Sequence, residues 1–290
     1  MKKRQRLGWG FISPCIFSML VFILIPLLCA AYFAFVKYDL FTAPRWVGLD
    51  NFKYWFFEDI NMWEALRNTF TYALITVPLE LVIACLIANL LNTKIRGIGI
   101  FRSVYYLPVL TPGLAITLIW LLMYSPTEGL LNSILSYFGM GPYKFVYSTN
   151  WFEALTSISV MSVWKRVGYT SIYLFTAMQA INEDVMEAAE IDGAVGIVRF
   201  FKITLPLITP TLFFLLIIGF SSTMQEFDIF YLMGSYSSSR LQVLNTLMYK
   251  SAWEAYDIGR ASAISWVSFL IILVFTIVQK KLEKRWVYYG

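Results

Sequence analysis

The sequence predicts an all-α integral membrane protein, a polytopic bundle of six transmembrane helices, and three observations predict it. Apolar residues make up 59% of the 290 residues and charged residues only 14%, whereas soluble domains carry about a quarter charged. Mean hydropathy is +0.65. The apolar residues fall in blocks of roughly 20 to 28, long enough at about 1.5 Å per residue to cross a hydrocarbon core of about 30 Å. Helices apolar on every face need lipid around them.

The first predicted span, 11–36, follows Lys2-Lys3-Arg4-Gln5-Arg6. A cleaved signal peptide has an apolar stretch of about 7 to 15 residues, so this longer one reads as a retained span. The second, 68–91, contains Pro78 and Glu80, and the third, 104–124, contains Pro108 and Pro112. Membrane helices tolerate such prolines where neighbours satisfy the freed backbone groups. The fourth, 155–181, carries Lys165 and Arg166. The fifth, 207–233, runs into Glu226 and Asp228, and the sixth is 259–278. No linker or internal repeat divides the chain, which reads as one transmembrane domain over 1–290.

Lysine and arginine set the direction of threading, because the cytoplasmic side holds the excess. The side of the N-terminus collects 13 (Lys2, Lys3, Arg4, Arg6, Lys94, Arg96, Arg102, Arg199, Lys202, Lys280, Lys281, Lys284 and Arg285), against 8 on the other. Both termini are therefore expected in the cytoplasm. The aromatic residues Trp46, Tyr54, Trp55, Phe56, Trp63, Trp151 and Trp253 then belong to outer loops, as interfacial anchors. Histidine is absent, which removes imidazole bases and histidine metal sites. Cys15, Cys29 and Cys85 sit in apolar runs without paired spacing and read as small buried hydrophobes. The net charge of +5 is spread around membrane segments, so no nucleic-acid surface is expected.

Between the fourth and fifth spans lies the segment 182–206. Asp184 is placed to cap a short helix, with Glu187 three residues on in the manner of a capping box, and Gly193 suits a left-handed turn at the helix end. A second amphipathic stretch sets Ile197, Val198, Phe200, Phe201 and Ile203 against Arg199 and Lys202, and Pro206 suits the first turn of the next helix. The product is a helix-turn-helix knob with Ala188 and Ala189 on an exposed shoulder, open to close approach by another protein. An amphipathic loop lying on the membrane surface reads equally well from these residues.

The pattern Glu187-Ala188-Ala189, two residues, Asp192-Gly193-Ala194, then Phe200, Ile203 and Leu205-Pro206 resembles the EAA loop of bacterial ATP-binding-cassette (ABC) importer permeases. Val47-Gly48-Leu49-Asp50-Asn51-Phe52, Trp164-Lys165 and Phe227-Asp228-Ile229-Phe230-Tyr231 resemble segments of the sugar-permease, maltose-type branch. That branch often continues with Thr-x-Gly-Gly-Pro, where this chain has Met233-Gly234-Ser235-Tyr236. The resemblance implies a type I importer permease whose cytoplasmic coupling helix, between helices 4 and 5, docks on a separate ATPase. Glu187 would make polar contacts there, Ala188, Ala189 and Ala194 a close fit, and Gly193 the turn. It further implies two cytoplasmic ABC ATPase subunits that hold ATP and Mg, a second homologous permease subunit and an extracytoplasmic solute-binding protein, in a bacterial cell membrane. The chain lacks a GxxxxGK[ST] phosphate loop, so no cofactor is expected on it and it is not read as an enzyme.

For the solute, Ser162, Arg166, Tyr169 and Tyr173 share one helical face, and Gly219, Thr223, Glu226 and Phe230 repeat at the same period. Rings and hydroxyls in that arrangement suit a sugar; they equally suit helix packing. A charge inside a span faces a cavity or a partner, so Arg166 meets either an acidic solute, such as a uronic-acid saccharide or a sugar phosphate, or a buried Glu80 or Glu226. Lys165 projects about 100° away around the helix and need not share that role. An ion-coupled secondary transporter or channel of six spans is the alternative, and it leaves the EAA-like segment without a purpose.

Overall fold

A computed structural model describes residues 2–92, 98–235 and 241–288. Lys94 and Arg96 of the expected basic loop, and Arg240 and Tyr236 further on, lie outside the described residues. The helices that matter here are α1 (Phe11–Phe33), α2 (Ile60–Leu91), α3 (Ile98–Leu110), α4 (Gly113–Met123), α5 (Leu130–Tyr137), α6 (Trp151–Gln179), α7 (Glu183–Ile191), α8 (Gly196–Leu207), α9 (Thr209–Met224), α10 (Asp228–Gly234), α11 (Leu244–Tyr249) and α12 (Ile258–Trp286). Strand is confined, among the described residues, to a two-residue antiparallel pair, Val36–Lys37 with Arg45–Trp46.

Three of these helices, α1, α2 and α12, are long and apolar enough to cross a membrane. Two further apolar stretches are divided. The 104–124 segment breaks between α3 and α4 at Thr111-Pro112. The 207–233 segment is interrupted twice: a 68° bend separates α8 from α9, and Gln225 to Phe227 separate α9 from α10. α6 has 29 residues, about 43 Å of helix, but includes Lys165 and Arg166. Helices also outrun the apolar windows. α2 begins at Ile60 because the Asp59 carboxylate accepts the amide of Asn61 at 2.7 Å, and α6 begins at Trp151 because Asn150 accepts the amide of Phe152 at 3.0 Å, both side-chain caps on otherwise unpaired helix donors.

The chain forms two compact units. The first comprises 1–63 with 244–271. No side chain of the most apolar stretch of α1 is buried within the protein, as expected of a helix that lipid surrounds. Beyond α1, the buried Asn51 amide donates to the carbonyls of Ala34 and Val36, both at 3.0 Å. Trp55 is buried too, unlike the surface anchor expected of it, and donates to the Arg260 carbonyl at 2.9 Å. The Arg260 guanidinium lies 3.5 Å over the Tyr54 ring and 3.3 Å from Asp257. Burial and then the Asp59 hydrogen bond raise the Tyr54 hydroxyl above its ordinary pKa.

The second unit comprises 64–243 with 272–290. It holds two apolar clusters strung along α2 and α6. Tyr72, Trp120, Leu155, Ile158, Met161 and Phe230 belong to one; Ala84, Ala88, Leu174, Phe175, Met178 and Ile208 belong to the other. Two glycines bring helices close there. A methyl on Gly168 of α6 would stand 2.8 Å from the Tyr105 carbonyl oxygen of α3, and one on Gly219 of α9 would stand 3.0 Å from Val77 of α2. Small residues at such crossings let membrane helices pack backbone to backbone.

Candidate functional site

The knob between α6 and α9 starts with a cap that the sequence reading misplaced. Asn182, not Asp184, is the cap, accepting the Asp184 amide at 3.0 Å. Asp184 lies inside the first turn, where its charge complements the helix dipole, and Glu187 is too far along to close a capping box. The C-terminus is closed by a six-residue turn motif. The Ala194 amide donates to the Ala189 carbonyl at 2.8 Å and the Gly193 amide to the Glu190 carbonyl at 3.0 Å. Gly193 takes φ +78° with no atom near its missing Cβ, so the requirement there is conformational rather than steric.

Exposure then sorts the pattern residues into two groups. Glu187, Ala188, Asp192 and Gly193 are exposed. Ala189, expected on the same shoulder, is instead turned inward with 6% of its surface accessible, and Ala194 is half-buried. Beside the exposed group Ile191 stands 87% accessible. In α8, Phe200 and Leu205 pack against the cluster of Ala84, Leu174 and Met178, and Ile203 and Pro206 are half-buried. Pro206 sits near the end of α8; the proline that opens α9 is Pro210. One arm of the knob is thus fastened to the bundle and the other presents an acidic residue, a small residue and a turn. Arg199 reaches across to Glu190 at 3.9 Å, a surface pair that contributes little.

Between the two apolar clusters lies a polar layer built on α2, α6 and α9. Arg166 Nε is 3.2 Å from Glu80 Oε2. Its Nη1 donates to Thr223 Oγ1 at 2.9 Å and its Nη2 to Ser222 Oγ at 2.8 Å. The other Glu80 oxygen accepts from the Thr170 hydroxyl. Of the two acidic partners considered for Arg166, the structure selects Glu80. Glu226 is half-buried at the break after α9 and within electrostatic reach of both Arg166 and Lys165.

The remaining residues of the two expected faces divide by burial. Ser162 accepts the Tyr72 hydroxyl at 2.6 Å in the interior. Gly219, Thr223 and Phe230 are buried as well, Phe230 edge-on to Tyr72. Tyr169 and Tyr173 remain exposed, the Tyr169 hydroxyl donating to that of Tyr173 at 3.1 Å. A cavity of ≈ 300 Å³ opens beside the polar layer, and Glu80, Lys165, Arg166, Tyr169, Thr170 and Ser222 supply its polar lining. Lys165 and Arg166, although adjacent, both reach it, because their long flexible stems bend the charged ends to one place. The sequence reading set Lys165 aside and overlooked Tyr72, Thr170 and Ser222. Thr170 was detectable, one helical turn beyond Arg166 on the same face.

Residues 80–288 match the family described as the binding-protein-dependent transport system inner membrane component. The chain is 35% identical to the Probable ABC transporter permease protein YesP of Bacillus subtilis, over 100% of this chain and 94% of that protein. It is 30% identical to the trehalose/maltose transport system permease protein MalF of Thermococcus litoralis, over 97% of this chain and 95% of that one. Among solved structures it resembles a chain of a bacterial alginate ABC transporter crystallised with an alginate-bound periplasmic protein. The TM-score there is 0.82 at 22% identity, over 98% of this chain and 96% of the other, a likeness of fold. The α-helical bundle and this relationship together place the chain in the family of inner membrane components of binding-protein-dependent transport systems: it is a permease subunit of an ABC transporter, a transport protein and not an enzyme.

Proposed function

We propose that this chain forms half of the path by which a saccharide enters the cell, paired with a second homologous permease subunit. Two cytoplasmic ATPase subunits hold the ATP and Mg, and an extracytoplasmic binding protein delivers the solute. The chain crosses the membrane six times with both termini in the cytoplasm. The observation that carries this reading is the knob: α7 and its Gly193 turn stand exposed while Phe200 and Leu205 of α8 fasten them to the bundle. Such a lever transmits a push at its tip to α6 and α9, which hold the Arg166 layer. Alternating access then follows from two packings of one bundle, biased by ATP binding elsewhere. Saccharide as the solute class is supported by the named sugar transport of the MalF relative and by the tyrosine and hydroxyl lining of the cavity.

The test is made on the assembled transporter. Gly193→Val puts a β-branched side chain at φ +78°, a conformation it disfavours by about 1–2 kcal/mol, and distorts the tip without touching the bundle. Glu187→Lys inverts the charge presented there. Both variants should assemble in the membrane, yet ATP-dependent uptake and solute-stimulated ATP hydrolysis should fall by at least about tenfold, equivalent to about 1.4 kcal/mol of lost coupling. Full activity in both would remove the docking role. An ion-coupled carrier is the second class to separate: collapse of ion gradients with ATP maintained would abolish its uptake and leave this one unchanged.

A further inference from the structure

Two cations enter the cavity beside the polar layer, and they are not equivalent. Arg166 is spoken for: the Glu80 carboxylate at 3.2 Å balances its charge, and Thr223 and Ser222 take its two terminal nitrogens. Lys165 has no ion pair or hydrogen bond among the described residues; Glu226 acts on it only through space. Its ammonium rests against Gly113 at the start of α4, Nζ lying 2.6 Å from where a Cβ would stand, and the residue lines the cavity. An ammonium at membrane depth without a direct partner is costly unless it serves a cavity or a pathway. At ≈ 300 Å³ the space sits at the small end of ligand sites, which run from about 300 to 1,000 Å³, enough for one ring-sized unit. Tyr169 offers that unit an aromatic surface with an attached hydroxyl, and Ser222 and Thr170 add hydroxyls.

We propose that Lys165, and not Arg166, is the charge that recognises the solute, and that the solute unit passing this cavity carries an anionic oxygen group, a carboxylate or a phosphate. This rests on the reading of the chain as half of a saccharide path. Arg166 and Glu80 hold α2, α6 and α9 in place as a neutral frame. Lys165 supplies three hydrogen-bond donors on a flexible stem, suited to an oxyanion that must be held and then released. The orientation of a sugar ring against Tyr169 would set which face its anionic group turns to the ammonium.

The experiment uses the complete transporter in proteoliposomes, with its partner permease, ATPases and binding protein, and three probes: digalacturonate for the carboxylate, glucose 6-phosphate for the phosphate, and maltose as the neutral control. Lys165→Gln should lower ATP-dependent uptake of the anionic probe that the wild type carries by about tenfold or more, the effect of deleting one member of a buried charge pair. Lys165→Arg should retain most of it. The probe that shows the loss assigns the group as carboxylate or phosphate. The amount of assembled transporter and its thermal midpoint are measured alongside. The proposal is overturned if Lys165→Gln keeps its anion uptake, if its loss only tracks a loss of assembled protein, or if the wild type carries maltose and neither anion. That last result leaves the saccharide path standing. A wild type that carries none of the three, with intact ATP-dependent uptake of a non-saccharide, overturns both readings.

Discussion

At the scale of single residues the chain depends on one charge pair in an apolar surrounding. Glu80 is buried, its side chain 6% accessible, and Arg166 is largely so at 23%. Removing either partner leaves the other charge largely buried and uncompensated, and the cost of breaking such a pair is about 3–5 kcal/mol. Glu80→Gln should therefore lower the thermal midpoint of the detergent-solubilised protein markedly. The double variant Glu80→Gln with Arg166→Met should recover much of the loss, because it leaves neither member of the pair charged and unpartnered. Equal damage in the single and double variants would mean that the hydroxyl partners, Thr170, Ser222 and Thr223, matter more than the charges. The presence of such a pair was legible in the sequence, since an arginine inside an apolar span needs a partner. The identity of the partner was not. Glu80 lies within α2 and Glu226 at the break after α9, and only the packing of those elements around α6 decides which carboxylate meets the guanidinium.

At the scale of helices, the apolar windows marked where lipid is, not where helices end. α2 starts eight residues before its window and α12 continues through Trp286, because caps and helix-forming residues, and not lipid, decide how far a helix runs. Breaks were less legible still. Pro26 and Pro78 lie within helical runs, whereas the chain breaks at Thr111-Pro112, and a proline alone does not announce which it will do. The glycines carry more specific information. Gly168 faces the α3 backbone, and a methyl there meets an immovable carbonyl oxygen at 2.8 Å; Gly113 faces only the mobile end of Lys165. Gly168→Ala should therefore cost roughly 1–3 kcal/mol through overpacking, and Gly113→Ala far less, since the amine can swing aside. Thermal midpoints of the two variants check this directly; equal midpoints would mean that α3 yields easily.

At the scale of the whole molecule the number of crossings turns on α6 and on the two bent pairs, α3 with α4 and α8 with α9, each of which must cross as one span to give six. Length and composition pass α1, α2 and α12 as spans, while α6 carries two cations. Each costs about 2.5–3.5 kcal/mol at the centre of an inserting helix, but Glu80 offsets the charge of Arg166, and Lys165 faces a cavity rather than lipid. The remainder of α6 is overwhelmingly apolar or hydroxylated and 15 of its residues are buried, so insertion should win. If it does, and α3 with α4 crosses as one bent span, Ile191 lies on the same side as the N-terminus, four crossings on, while Phe41 and Tyr137 lie opposite. All three are highly exposed, which makes them suitable reporter positions. Cys15, Cys29 and Cys85 are first replaced by alanine or serine. A membrane-impermeant maleimide applied to intact cells should then label Phe41→Cys and Tyr137→Cys and spare Ile191→Cys, and inverted vesicles should show the reverse. Labelling of Ile191→Cys from outside would place α7 on the wrong face for a cytoplasmic ATPase and would rule out four crossings before it.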